Sequence, residues 1–173
     1  MWGGNLKNII IKNEVDRCYS NFDTLEILIK ENENIIILGN GGSSSVASHI
    51  AQDYTKMLNK RSFTFSDASR LTCYTNDYGY EDTYLQFLKE FVREEEKTLV
   101  ILISSSGNSE NIVRCAEWCN KSSNIDIVTL TGFDENNRLR KMHLKNRKIN
   151  HWVDSNDYGI VECVHMIFLH MVV

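Results

Sequence analysis

Proline is absent from all 173 residues, an omission compatible with helix-rich α/β structure. Long apolar runs are missing too. Nothing approaches the roughly 20 residues of a membrane span, and no charged-then-apolar segment precedes a small-residue cleavage site. There is no basic excess: 19 Lys and Arg against 23 Asp and Glu give a net charge of −4, which argues against a nucleic-acid surface. Cys18, Cys73, Cys115, Cys119 and Cys163 are an odd set without a CxxC spacing and read as reduced thiols of a cytoplasmic protein. No repeat, low-complexity segment or linker divides the chain, so one domain over residues 1–173 is expected.

What is present is organised around residues 35–45. Ile35, Ile36, Ile37 and Leu38 read as a fully buried strand of a parallel sheet. Gly39, Asn40, Gly41 and Gly42 follow, a turn where φ > 0 and close backbone approach are permitted. Ser43, Ser44 and Ser45 then offer hydroxyls and an N-cap where a helix should begin. Two familiar phosphate motifs are excluded. No lysine follows the glycines until Lys56, as a P-loop would need. The position three after Gly41 is Ser44, not the third glycine of a dinucleotide fingerprint.

The same design recurs. Leu99 to Ile103 form a second buried apolar run, ending in Ser104, Ser105, Ser106, Gly107, Asn108 and Ser109, with a helix expected near Ser109. Two polar, glycine-containing loops at the ends of two parallel strands lie where open α/β sheets bind ligands. Serine hydroxyls and dipole-positive helix ends suit a phosphate monoester without any basic residue.

The remaining segments frame this pair. Residues 4–32 are helical in pattern, in two pieces, with Leu6, Ile9 and Ile10 as one apolar group and Phe22, Leu25, Ile27, Leu28 and Ile29 as another. They are candidates for subunit packing or for a cover over one sheet face. The helix after the first loop, to about Leu58, carries His49 and Asp53 one turn apart. That spacing suits two ligands of one metal, a base with its orienting partner, or a surface hydrogen bond. Leu71 to Thr75 read as a short β-like run and Asn76–Tyr80 as a turn. Residues 81–93 are expected to be helical, with Tyr84, Leu85, Leu88 and Phe91 inward. Asp126–Gly132 is a third strand, and residues 135–144 a helix whose Arg138, Arg140 and Lys141 form a solvated face. Lys148–Val153 is an edge strand. The last helix starts near Asp157 and is short or truncated at Val173. Its Glu162, His165 and His170 are costly among so many apolar neighbours unless paired or functional. At 100° per residue Glu162 lies about 60° from His165 and about 80° from His170, with the two histidines about 140° apart. Glu162 can therefore share a face with either.

The two loops, with Asn76–Gly79 between them, resemble sugar isomerase (SIS) domains, and more narrowly the phosphoheptose isomerases, over most of the chain. The resemblance implies a three-layer α/β sandwich with a central, mostly parallel five-stranded sheet. It also implies an enzyme that interconverts sedoheptulose 7-phosphate and D-glycero-D-manno-heptose 7-phosphate, and a homotetramer with active sites between subunits. Zinc is the implied cofactor, one ion per site. The family's histidine six residues after the first loop's serine falls on His49, and its glutamate four residues later on Asp53. Its closing glutamine and histidine fall on Glu162 and His170. The implied metal set is thus His49, Asp53, Glu162 and His170, with Asp53 as base and His170 as acid partner. Ser43, Ser104, Ser105, Ser106 and Ser109 would hold the phosphate beside Gly41 and Gly42. Asn40 and Asp77 would lie near the sugar hydroxyls, and Glu162 would also touch substrate. A family aspartate falls on Gly159, a place that Asp157 is expected to supply. A non-catalytic SIS protein that binds a partner, such as a replication initiator, is the rival expectation. No nucleic-acid or membrane partner is expected.

Overall fold

The computed structural model describes residues 4–173, with side chains from Lys7 onward except Asn8. In chain order the elements are helices α1 (Gly4–Cys18) and α2 (Phe22–Glu31), strand β1 (Asn34–Gly39), helix α3 (Gly42–Leu58) and strand β2 (Arg61–Phe63). Helices α4 (Ala68–Tyr78) and α5 (Thr83–Phe91) lead to strand β3 (Thr98–Ser104), helix α6 (Glu110–Cys119) and strand β4 (Ile125–Thr131). Helix α7 (Arg138–Lys141), strand β5 (Arg147–Trp152) and helix α8 (Tyr158–His170) complete the fold.

The five strands form one sheet in the order β2-β1-β3-β4-β5, parallel at every pairing. Alternation along the strands divides the core in two. Ile35, Ile37, Leu99, Ile101 and Val128 face a layer that holds Leu25 and Leu28 of α2, Ile50 and Tyr54 of α3, and Val164 and Phe168 of α8. Ile36, Leu38, Val100, Leu102 and Ile127 face Tyr84, Phe87 and Leu88 of α5 and Ile112 and Ala116 of α6. With helices on both faces, the central strands are buried at every position and apolar between their end residues.

The chain leaves β1 toward β2 through α3 on one face, and leaves β3 toward β4 through α6 on the other. The carboxyl ends of β1 and β3 therefore diverge and open a crevice, the place where doubly wound sheets bind ligands.

Several local expectations are corrected. Residues 71–75 are not a strand but the middle of α4. Asp67 caps that helix by accepting from the Arg70 N–H at 2.9 Å, and Thr72 Oγ1 bonds back to the Ala68 carbonyl. Leu71 and Tyr74, three apart, pack inward, a helical period that the β-branched threonines obscured. The fifth strand is β2, three residues on the sheet edge, too short to stand out. Asn76–Gly79 is the end of α4, with Gly79 as its cap. The helix over residues 135–144 shrinks to the single turn of α7, and the one over 81–93 to α5. In α5 Phe87 is buried while Phe91 lies exposed. At the N-terminus Ile10 and Ile11 pack on the core and Ile9 faces out, as does Ile27. Leu6 falls among the side chains outside the described residues.

Candidate active site

β1 delivers Gly39 directly beneath the first turn of α3. A Cβ there would stand 2.7 Å from that of Ser43, so glycine is what permits the approach. Gly41, at φ 55° and ψ −124°, turns the chain, and its carbonyl accepts from the N–H groups of Ser44 and Ser45. This glycine, not one of the serines, is the N-cap. Ser43 thus falls inside the first turn with its hydroxyl uncommitted to capping. The second loop is pinned by Gly107, whose φ of 64° lets its N–H reach the Ser104 carbonyl at 2.9 Å. Ser104 Oγ and Ser109 Oγ are 3.2 Å apart, and Ser109 caps α6 without spending its side chain on the helix.

Between the loops lies a cavity of about 250 Å³. Ser43, Ser104, Ser105, Ser106 and Ser109 line it, with Asn40, Gly41, Gly42, Ile103, Tyr158 and Glu162. None of these is a lysine or arginine. The Ser105 hydroxyl is buried with no hydrogen-bond partner, a costly state in the absence of a ligand. Hydroxyls, helix-end N–H groups and an orphaned donor match the needs of a phosphate group.

Asn40 is tied down on two sides. Its amide exchanges hydrogen bonds with Asn111 of α6 at 2.9 and 3.0 Å, and its Oδ1 also accepts from Tyr80 at 2.8 Å. Asp77 is not part of the lining; it lies exposed on the last turn of α4, bonded to Asn76.

Further along α3 and α8, His49, Asp53 and His170 converge, with one ligand atom from each mutually within 4.8 Å. Asp53 Oδ2 is the hub, 3.3 Å from His49 Nε2 and 3.0 Å from His170 Nε2. His170 Nδ1 lies 3.0 Å from the Met166 carbonyl. A carbonyl only accepts, so Nδ1 carries the proton. Nε2 then faces a carboxylate oxygen at 3.0 Å, an approach that either a second ring proton or a shared metal cation satisfies. Two imidazoles and a carboxylate are a zinc donor set, and tetrahedral bonds of about 2.0 Å place ligand atoms roughly 3.3 Å apart. The triad fits the metal.

Glu162 is not one of the three. Its carboxylate stands against Gly42, where a Cβ would collide with it. Nor does it pair with either histidine of its helix. His165 is fully buried and donates Nε2–H to the Thr131 carbonyl at 3.1 Å, and burial lowers its pKa to about 3. It is a core residue. Asp157 does not take the place of Gly159 in the cavity: it caps α8 by accepting from Ile160 N–H and pairs with Lys7. Tyr158, its ring packed on Phe133, lines the cavity instead. Tyr158, Asn111 and Tyr80 carried no sequence signal, because none belongs to a motif or a periodic stripe.

Cavity and triad share one face. Gly42, Ser45 and Val46 of α3 and Glu162, Cys163, Met166 and Ile167 of α8 bound a mostly apolar groove. At spacings of three and four residues, its walls continue to His49, Asp53 and His170.

No protein-family model matches the chain. It is 32% identical over 117 residues to a phosphoheptose isomerase of Cytophaga hutchinsonii, covering 65% of this chain and 60% of that protein. It is 34% identical over 110 residues to one of Serratia proteamaculans, covering 61% and 55%. The match therefore spans less than two thirds of those relatives' own length. A phosphoheptose isomerase of Fusobacterium nucleatum is 28% identical over 151 residues, 84% of this chain and 74% of that one. Among solved structures, a phosphoheptose isomerase from Neisseria gonorrhoeae superposes with a TM-score of 0.78 at 22% identity, covering 98% and 92% of the two chains. In sequence the chain is similar to phosphoheptose isomerases over part of their length, and it has the fold of the one from Neisseria gonorrhoeae.

Proposed function

We propose that the protein is a phosphosugar aldose–ketose isomerase acting on sedoheptulose 7-phosphate to give D-glycero-D-manno-heptose 7-phosphate. The observation that carries this reading is the run, along one face of α3 and α8, from a cation-free, serine-lined cavity to the His49–Asp53–His170 triad. The cavity takes the phosphate. Ser43, Ser104, Ser105, Ser106 and Ser109 donate to it, and the N–H groups opening α3 and α6 supply positive potential. Asn40 meets a sugar hydroxyl, and the carbonyl end reaches the triad. A zinc ion held there by His49, Asp53 and His170 would supply Lewis-acid stabilisation of the enediolate oxygens.

Asp53 has two oxygens, and only Oδ2 is engaged by both imidazoles. Oδ1 is left to take a proton from C1 of the ketose. The electron pair of that C–H bond forms the C1–C2 double bond, and the C2 carbonyl oxygen becomes the enediolate oxygen. Return of the proton to C2, with transfer of the O1 proton to O2, gives the aldose. His170, its Nδ1–H held by the Met166 carbonyl, has its one free lone pair on Nε2 and carries the oxygen-bound proton only when that nitrogen is not a metal ligand.

The groove's apolar wall supports a second copy packed over it, within a homotetramer whose sites lie between subunits. The five free cysteines support a cytoplasmic location, and no helix of the described residues is long and apolar enough to cross a membrane.

The test is incubation of the purified protein with sedoheptulose 7-phosphate, with and without added zinc, following aldose phosphate formation. Turnover lost in Asp53→Asn and in His170→Ala is the expected result. Absence of turnover with zinc present overturns the heptose assignment.

A further inference from the structure

A second cavity, of about 330 Å³, opens beside the edge strand β5, and it shares no residue with the serine-lined one. Arg17, Ser20 and Asn21 form one wall and Arg140, Asn150, His151 and Trp152 the other. We propose that this cavity is a second anion site, taking the phosphate or diphosphate group of a small molecule between Arg17 and Arg140. The inference does not depend on the isomerase reading.

The two guanidiniums are held in place before any ligand arrives. Both stack on the indole of Trp152, with Arg140 Cζ 4.9 Å and Arg17 Cζ 6.0 Å from the ring centre. The indole is itself oriented by its Nε1–H donating to the Phe133 carbonyl. Arg140 spends one Nη1–H on the Glu135 carbonyl, and the Asn150 amide fixes its backbone by donating to its carbonyl at 3.0 Å. Arg17 gives one Nη1–H to Glu14. Each guanidinium has five N–H donors in a planar fork, so most remain uncommitted. Among the described residues Arg140 has no carboxylate within salt-bridge distance, and its buried Nε has no partner at all.

The surroundings compensate this charge only in part: Arg17 pairs with Glu14, Arg138 with Glu110 and Lys148 with Asp126, and Arg140 has no such partner among the described residues. In a chain of net charge −4, residues 138–148 carry six Lys and Arg and no acid. His151, buried in the cavity wall, is pushed down to about 4 by burial and by the Arg17 charge. Arg147 is held below the usual arginine range by burial and by Arg140. Two forks converging on one cavity favour an anion with several acceptor oxygens and more than one charge, which phosphate satisfies better than a lone carboxylate.

Trp152 is the reporter. Fluorescence titrations with inorganic phosphate and with pyrophosphate are run on the intact protein, with Trp152→Phe removing the local signal. A saturating Trp152 response is expected, weakened at least tenfold in Arg17→Gln and in Arg140→Gln, with circular dichroism showing that each variant is folded, since Arg17 also pairs with the buried Glu14. Ser109→Ala, in the other cavity, should leave that response unchanged. Tighter binding of pyrophosphate assigns a diphosphate ligand, and equal binding a phosphate monoester. A response that survives both arginine variants, that vanishes in Ser109→Ala, or that is missing with both anions overturns the proposal.

Discussion

Asn40 and Asn111 hold each other by two reciprocal amide hydrogen bonds, joining the loop after β1 to the first turn of α6. Asn111 is almost wholly buried, so it acts on the cavity only through Asn40. Asn111→Ala is expected to raise KM for the sugar phosphate about tenfold, the equivalent of one lost hydrogen bond of about 1.4 kcal/mol. It should cost about 1–3 kcal/mol of stability, since the Asn40 carbonyl keeps only Tyr80. Tyr80→Phe should give a smaller KM change. Steady-state kinetics with parallel thermal melts separates the two effects.

Zinc is expected to raise the melting temperature by roughly 5–10 °C at a hundredfold excess over its Kd, because it binds the folded state alone. Asp53→Asn and His170→Ala should abolish that shift, and metal analysis of the dialysed variants should find less than one zinc per chain. An unchanged shift in both variants would place the metal elsewhere.

Glu162→Gln removes a carboxylate from a cavity that contains no cation. Inorganic phosphate should bind the zinc-free variant several-fold tighter, as read by titration calorimetry. Weaker binding would mean that the carboxylate is not turned toward the anion.

Gly107→Ala combines two penalties: a φ of 64° that side chains avoid, and a Cβ directed into the Asn137 side chain. A loss of about 2–4 kcal/mol is expected, a fall of the order of 10 °C in melting temperature, together with loss of phosphate binding because the second loop is no longer pinned.

Acid should destabilise the fold through its buried histidines. His151 and His165 titrate at about 4 and about 3 when folded, against 6.5 in the unfolded chain. The unfolded state thus binds more protons below pH 6.5. Their contribution is present in full above that pH and is lost as pH falls toward 4, a few kcal/mol in all. Urea midpoints between pH 7 and 4 test this. His165→Gln should flatten the slope, even where it lowers stability at pH 7.

The sheet's two central strands and both serine loops were legible because burial on both faces writes continuous apolar runs, and the loops punctuate them with glycine. The His49–Asp53 pair was legible as a helical spacing. The edge strand β2 was not, since three residues on an edge carry no period, and α4 was hidden by the β-branched Thr72, which bonds back to its own helix, and Thr75, which meets Thr83 of α5. Glu162 shows a different limit. Helical angles and resemblance both allowed it beside His170, yet its side chain turns to the open space over Gly42, and that choice depends on what surrounds the helix. Tyr158 lines the cavity from an exposed position at the start of α8 that no pattern distinguishes.

The serine-lined cavity and the His49–Asp53–His170 triad are carried by the same two rigid rods. Ser43 and His49 are six residues apart on α3, a rise of about 9 Å, and Glu162 and His170 eight apart on α8, about 12 Å. The pair works as a gauge. On the proposed reading, a sugar phosphate would be measured by its reach from one mark to the other before its stereochemistry matters, and a shorter carbon chain anchored in the cavity would leave its carbonyl short of Asp53.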